Sequence, residues 1–167
     1  MVTAIKGNAT STFGGDIDVT GNVITDAPAF SVYLNGSQSI SNNTSTKIQF
    51  NTEEYDTANA FDSSTNYRFT PQKAGYYQIN ATCYFQGTSM TNIQLYLYKN
   101  GANHKYSLVA TGISVGNYQI TVSSLVYLNG STDYIEAYGY LSASSGNAFN
   151  GGAAGSTYMT GCLVRAA

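Results

Sequence analysis

The chain has 167 residues, enough for one domain with a sizeable core and a short appendage. Only 10% of its side chains are charged, against about 25% in ordinary soluble domains, and the net charge of −2 comes without a basic cluster. Phosphate contacts need several Lys or Arg together, which excludes nucleic acid as a partner; no apolar run approaches the roughly 18 residues of a membrane span, which argues against membrane insertion.

The first 27 residues stand apart. "STFGGDIDVTGNVITDAP" holds two short alternating pieces, Asp16 to Thr20 and Val23 to Thr25, joined by Gly21-Asn22. Its few apolar side chains (Phe13, Ile17, Val19 and Val23) cannot bury themselves within one chain, so this segment is predicted to be an extended β arm that anchors on a partner. The opening "MVTAIKGNATST" lacks the apolar segment of a signal peptide, which predicts synthesis and assembly in a host cytoplasm. Pro28 biases the residue before it to extended structure and marks the boundary between an arm, 1–27, and a head, 28–167.

Beyond Pro28 helix signals are nearly absent, and short alternating runs bounded by Gly, Asn and Ser dominate. From Tyr77, the residues Ile79, Ala81, Cys83 and Phe85 form one apolar face, opposite Gln78, Asn80, Thr82 and Tyr84. In "NIQLYLY" (92–98), Ile93, Leu95 and Leu97 oppose Gln94, Tyr96 and Tyr98; in "DYIEAYGYL" (133–141), Ile135, Ala137, Gly139 and Leu141 oppose Tyr134, Glu136, Tyr138 and Tyr140. Asn35-Gly36, Asn100-Gly101 and Asn129-Gly130 supply tight reversals between the runs. Many short strands with such punctuation predict an all-β sandwich or jelly roll. Three stretches, 74–98, 106–132 and 137–164, carry no charged side chain, as expected of surfaces that a protomer buries against copies of itself.

The stretch "FDSSTNYRFTPQKAGYYQINATCYF" (61–85) is the most distinctive. Asp62 and Thr65 can close a loop through side-chain to backbone hydrogen bonds. Phe69 should anchor it in the core, and Pro71 should end its strand. Gly75 is predicted to take a tight turn with positive φ before the long strand.

From Ala29 to Val164 the sequence resembles the complement C1q-like domain, a relative of the tumour necrosis factor fold. The resemblance rests on Ala29-Phe30-Ser31-Val32, on "KIQFN" (47–51), and on Phe61-Asp62 through Phe69 with Pro71, Gly75 and Tyr77. "LYLYKNG" (95–101), "LNGSTDYIEAY" (128–138) and "STYMTGCLV" (156–164) continue it in order. Phe61, Asn66 and one extra residue before Phe69 depart from the family's pattern. The resemblance implies a ten-stranded-type jelly-roll sandwich that forms a homotrimer, with the sheet of the first, last and central strands facing the threefold axis. On that reading the 133–141 strand lies in the axial sheet, so Tyr134, Tyr138 and Tyr140, with Tyr84, pack between protomers. Tyr96 and Tyr98 then lie on the other sheet, as plain strand residues or as a carbohydrate or protein contact. "TSTFGGDIDVTGNVIT" is similar to repeat units of bacteriophage fibre stalks.

The side chains of catalysis are sparse. His104, the only histidine, is expected in a solvated loop, and no Ser-His-Asp set can be assembled around it. Glu53, Glu54 and Asp56 cluster in "NTEEYD", read as a solvated loop rather than a paired-carboxylate site or a calcium site. "GNAFNGGAAGS" (146–156) lacks the Lys-Ser/Thr of a phosphate loop and reads as a flexible loop. Cys83 and Cys162 are too far apart in sequence for a zinc knuckle or a Cys-x-x-Cys motif; both read as buried mid-strand thiols, with a disulfide as the alternative. The six Asn-x-Ser/Thr triplets, at Asn8, Asn35, Asn42, Asn43, Asn80 and Asn129, read as chance in so Asn-rich a chain. The expectation is therefore a non-enzymatic protein with no cofactor and no bound metal. Its partners would be itself, a major capsid or tail protein of a virion and, in the receptor-binding variant, a host surface glycan. The favoured role is a bacteriophage capsid decoration protein; the alternatives are a tail-fibre knob and a secreted lectin- or cytokine-like module.

Overall fold

Alternation governs the structure that forms. In the long central strand Tyr77, Ile79, Ala81, Cys83 and Phe85 are fully buried, Gln78, Asn80 and Tyr84 between them are half-buried, and Tyr76 and Gln86 at either end are exposed. Side chains of successive strand residues point to opposite faces, so such a pattern specifies one buried and one open face.

A computed structural model describes residues 27–113, 116–152 and 155–167. The predicted arm residues Phe13, Ile17, Val19 and Val23 lie outside the described residues. The described residues form thirteen strands: β1 (Ala29–Tyr33), β2 (Gln38–Ser39), β3 (Thr46–Lys47), β4 (Thr52–Asp56), β5 (Phe61–Asp62), β6 (Arg68–Phe69), β7 (Gly75–Thr88), β8 (Met90–Lys99), β9 (Ala102–Ile113), β10 (Asn117–Leu128), β11 (Ile135–Ser142), β12 (Ser145–Phe149) and β13 (Tyr158–Ala166).

They form two antiparallel sheets. The first runs β2-β12-β7-β13-β1-β4, with β10 on the other edge of β7; the second runs β5-β6-β11-β8-β9, with β3 also paired to β11. The chain crosses repeatedly between the sheets, from β7 to β8 and β9, back to β10, over to β11 and back to β12 and β13. That is a jelly-roll path. The β8–β9 reversal uses Asn100 and Gly101 at φ 53° and 78°, the pair of positive values a two-residue hairpin turn requires.

The core between the sheets is aromatic at both ends. Phe30 stacks on Phe69 at 4.3 Å and tilts against Phe61 at 5.5 Å, and Phe69 meets the edge of Tyr77 at 5.4 Å. At the other end Phe85 and Phe149 meet edge to face at 5.5 Å. The 61–85 stretch is therefore a core-forming corner. Its loop closes on the Asp62 carboxylate, which accepts hydrogen bonds from the backbone N–H of Ser64, Thr65 and Asn66 and from the Asn66 amide at 2.6–3.1 Å. Thr65 serves through its backbone N–H, and Tyr67 turns the chain at φ 50°.

Four expectations about elements need correcting. Gly75 does not turn the chain: it opens β7, and a Cβ there would stand 2.4 Å from the Arg165 carbonyl oxygen. Its constraint is close approach of β13, not positive φ. Glu53, Glu54 and Asp56 sit in edge strand β4 rather than a loop, where charge deters pairing with foreign strands. His104 lies in β9, and residues 146–149 of the supposed Gly-rich loop belong to β12, whose Phe149 is part of the core.

Candidate functional site

The outer face of the first sheet is built from neutral side chains. On β7, β10 and β13 the outward positions are filled mostly by Gln, Asn, Ser, Thr and Tyr, and they bond to one another. Gln78 Nε2 donates to Ser123 Oγ at 2.8 Å, Ser123 Oγ donates to Asn80 Oδ1 at 2.8 Å, and the Thr82 and Thr121 hydroxyls are 2.8 Å apart. Toward one end the face becomes apolar. Tyr76 and Tyr127 pair across β7 and β10 with rings 5.5 Å apart, and a groove of about 280 Å³ is lined by Tyr76, Leu125, Val164 and Arg165. Seven large apolar side chains are exposed among the described residues, and five of them (Tyr55, Tyr76, Leu125, Tyr127 and Val164) lie on this sheet. Clustering of that kind marks an interaction surface. Tyr84 is on the same face, half-buried beside Gln119.

The sheet assignment of the other tyrosines must be corrected. β11 pairs with β8, with Tyr138 opposite Tyr96 and Tyr140 opposite Gln94, so Tyr138 and Tyr140 belong to the second sheet. Alternation told which way each side chain points, but not which strand lies next to it. Tyr134 precedes β11 at the same sheet, with the Arg68 guanidinium 4.2 Å over its ring. These three tyrosines therefore share a face with Tyr96 and Tyr98 rather than opposing it.

The result is a continuous aromatic surface across three strands. Tyr106 of β9 lies 5.7 Å from Tyr96, Tyr96 lies 5.7 Å from Tyr98, and Tyr98 stacks on Tyr138 at 4.3 Å with rings 19° from parallel. Tyr140 donates its hydroxyl to Asn43 Oδ1 at 3.1 Å, and the Tyr96 hydroxyl donates to Gln94 Oε1. Partial burial, then the neighbouring Tyr98, push the Tyr96 phenol above its ordinary range; burial and then Glu136 do the same for Tyr138. Both stay protonated at neutral pH. Beside the rings one ion pair forms: Lys47 Nζ lies 2.5 Å from Glu136 Oε2, and Glu136 is 2% exposed. Lys47 also sits 5.7 Å from the Tyr138 ring centre.

Elsewhere the polar chemistry is committed to structure. A cleft of about 540 Å³ is lined by Asn59, Asp62, Asn66, Arg68, Gln72 and Ser131, among others. Its carboxylate already holds the 62–66 loop, whose amides pull Asp62 well below the usual carboxylate range. His104 Nε2 is 3.3 Å from Ser124 Oγ, and burial with Lys105 and Lys99 nearby lowers its pKa. Asp133 is lowered by the Asn100 amide and by Lys99, 3.0 Å away. Among the described residues no three His, Cys, Asp or Glu side chains converge to hold a metal, and no helix is long and apolar enough to cross a membrane. Cys83 is buried, with its thiol pushed up by desolvation. Cys162 is exposed, contrary to its sequence reading, because β13 turns it to the outer face opposite Ala29 and Gln78. Both cysteines are free thiols, and no disulfide joins them.

Among solved structures the chain is similar to murine APRIL, crystallised at pH 8.5, with 8% identity and a TM-score of 0.62 over 83% of this chain and 99% of that one. It is also similar to Eiger TNF from S. frugiperda, with 10% identity and a TM-score of 0.62 over 84% of this chain and 93% of that one. The fold is a TNF-like jelly roll. No protein-family model matches the sequence, and no curated protein matches it. At such identities the likeness concerns the fold, which agrees with the jelly roll expected from the C1q-like resemblance.

Proposed function

We propose that the protein is a non-enzymatic homotrimer on the outer surface of a bacteriophage particle. The observation that carries the trimer is the outer face of the first sheet. It gathers five of the seven exposed large apolar side chains, and the central strands around them present neutral hydrogen-bonding groups. Interface cores are depleted of charge and enriched in Tyr in this way. Tyr84, Tyr76, Leu125 and Tyr127 then meet their copies near the axis. Tyr134, Tyr138 and Tyr140 do not, because they lie on the other sheet.

The virion role is supported by the N-terminal sequence, whose likeness to fibre-stalk repeats makes residues 1–27 an anchor. Seating on a major capsid protein makes the chain a decoration protein. Seating on a tail protein makes it a receptor-binding knob, a second reading that the tyrosine surface favours. The test of assembly is sedimentation of the full chain under reducing conditions, with about three times the chain mass expected. Leu125→Asp should shift it to the monomer, whereas a wild-type protein that sediments as a monomer at micromolar concentration overturns the proposal. Anchoring is tested by adding full-length Ile17→Asp/Val19→Asp to particles stripped of the protein. The variant should stay trimeric and fail to co-sediment, and co-sedimentation at the wild-type level would refute the arm's role.

A further inference from the structure

We infer that the tyrosine surface of the second sheet is a binding platform for a neutral oligosaccharide. Five rings from three strands lie on one face: Tyr106, Tyr96, Tyr98 and Tyr138 pack on one another, and Tyr140 is fixed by its hydrogen bond to Asn43, so they are held in place before any ligand arrives. Preorganised groups spare a weak ligand the cost of ordering its site. The face of an aromatic ring is electron-rich, so it attracts the slightly positive C–H groups on the flat side of a pyranose. Beside the rings stand neutral donors and acceptors, Gln94 and Asn43, already bonded to tyrosine hydroxyls and able to exchange them for sugar hydroxyls.

Charge and area decide between occupants. Beside the five rings Lys47 and Glu136 neutralise each other, and the remaining cation on this face, Arg68, is stacked over Tyr134 outside the platform, so little charge is left at the rings to draw an acidic or basic ligand. A stable protein interface buries about 800 Å² on each partner around an apolar core. Here only Tyr106 and Leu108 are more than two-fifths exposed, at 56% and 47%, while Tyr96, Tyr98, Tyr138 and Tyr140 are half-buried. A row of half-buried rings flanked by Gln94 and Asn43 offers little exposed apolar area for such an interface, and it sets ring faces beside amides as the apolar and hydroxyl sides of a chain of sugar rings require. The platform lies on the opposite sheet from the proposed trimer contact, so the inference stands whether or not the chain assembles.

The test is saturation-transfer NMR and titration with malto-, cello-, galacto- and chito-oligosaccharides, reading ligand signals and protein tyrosine fluorescence. The chain has no tryptophan to mask that emission. At least one neutral series should bind. Tyr106→Ala, at an exposed position that does not threaten folding, should weaken it about tenfold, as expected for loss of one ring contact. Tyr138→Ala should do the same, while Tyr127→Ala on the first sheet should leave it unchanged. Absence of binding to every neutral series overturns the inference. So does binding only to acidic saccharides, or binding that survives both Tyr106→Ala and Tyr138→Ala. Oligomeric state measured on the same samples reports separately on the trimer.

Discussion

Gly139 offers a perturbation whose sign is informative. Replacing a strand glycine by alanine ordinarily stabilises a protein by about 0.5–1 kcal/mol, because alanine loses less backbone entropy on folding. At Gly139 the structure demands the opposite. A Cβ there would stand 2.4 Å and 2.5 Å from Cε1 and Cζ of Phe149 and 3.1 Å from Cε1 of Phe85. Both rings are fully buried and locked edge to face, 89° apart, so neither can swing into space. The glycine lets a ring from β12 in one sheet rest against the β11 backbone of the other. Adding a methyl group should therefore overpack the core, at about 1–3 kcal/mol.

We expect Gly139→Ala to lower stability by about 2 kcal/mol, or about 4–8 °C in Tm for a chain of this size. Thermal and urea unfolding at a fixed protomer concentration are the assays, because dissociation contributes to the apparent stability of an oligomer. Phe149→Leu should relieve the clash, so Gly139→Ala/Phe149→Leu should be less destabilised than the sum of its parts, with a coupling of about 0.5–3 kcal/mol. A Gly139→Ala protein as stable as the wild type, or more stable, would refute this account of how closely the sheets approach.

Two further outcomes follow from individual side chains. A thiol reagent applied to the native protein should leave Cys83 untouched until unfolding, and it should label Cys162 much faster in Leu125→Asp than in the wild-type trimer. Equal labelling rates at Cys162 would remove the first sheet from the interface. The Asp62 carboxyl has a folded pKa below its unfolded value of about 3.9, because backbone amides stabilise the charged form. Its contribution to stability is present above that unfolded value and is lost as pH falls through the folded pKa. Asp62→Ala should thus be less stable than wild type by a constant margin from pH 7 to about pH 4, and the margin should narrow as pH falls further, as read from Tm against pH; a margin that does not narrow below about pH 4 would contradict the role given to the loop amides.

What the sequence discloses is set by the range of the physics involved. The buried faces of β7, β8 and β11 are legible because period-two alternation is local: Ile79, Leu95 and Ala137 announce their side of the strand through their immediate neighbours. The Asn100-Gly101 reversal is legible for the same reason, and so is the Asp62 loop. Strand neighbours are not local. Tyr138 faces Tyr96 from 42 positions further along the chain, and nothing within "DYIEAYGYL" distinguishes a place beside β8 from one beside β7. Gly75 shows a similar limit, since a glycine needed for close approach to β13 looks like a glycine needed for a turn. Cys162 was misread because the buried face of β13 is carried by Met159 and the small Gly161, which leaves little alternation to follow.

The low charge of the chain takes on a definite meaning once the sheets are in place. Charge usually solvates the open faces of a sandwich, but here it is sparse on them, with Arg165 in the first sheet's groove and Arg68 and the Lys47–Glu136 pair on the second. Glu53, Glu54 and Asp56 stand on edge strand β4, and Lys105 stands on edge strand β9, where charge blocks pairing with foreign strands. Lys99 and Asp133 tie the β8 end to the β11 approach at 3.0 Å, and Lys47 covers Glu136. The faces are left to neutral groups of two kinds. One carries an amide and hydroxyl ladder that ends in exposed Leu125, Tyr127 and Val164; the other carries interlocked phenol rings that are mostly half-buried. Desolvating most of either face strips few ions of their water, so contact there largely avoids the heaviest penalty of burial. The difference in exposure then separates their uses. Protruding apolar side chains gain most against a broad, complementary protein surface, and a second copy supplies one. Half-buried rings beside amides gain most against a narrow ligand that is itself half apolar and half hydroxyl.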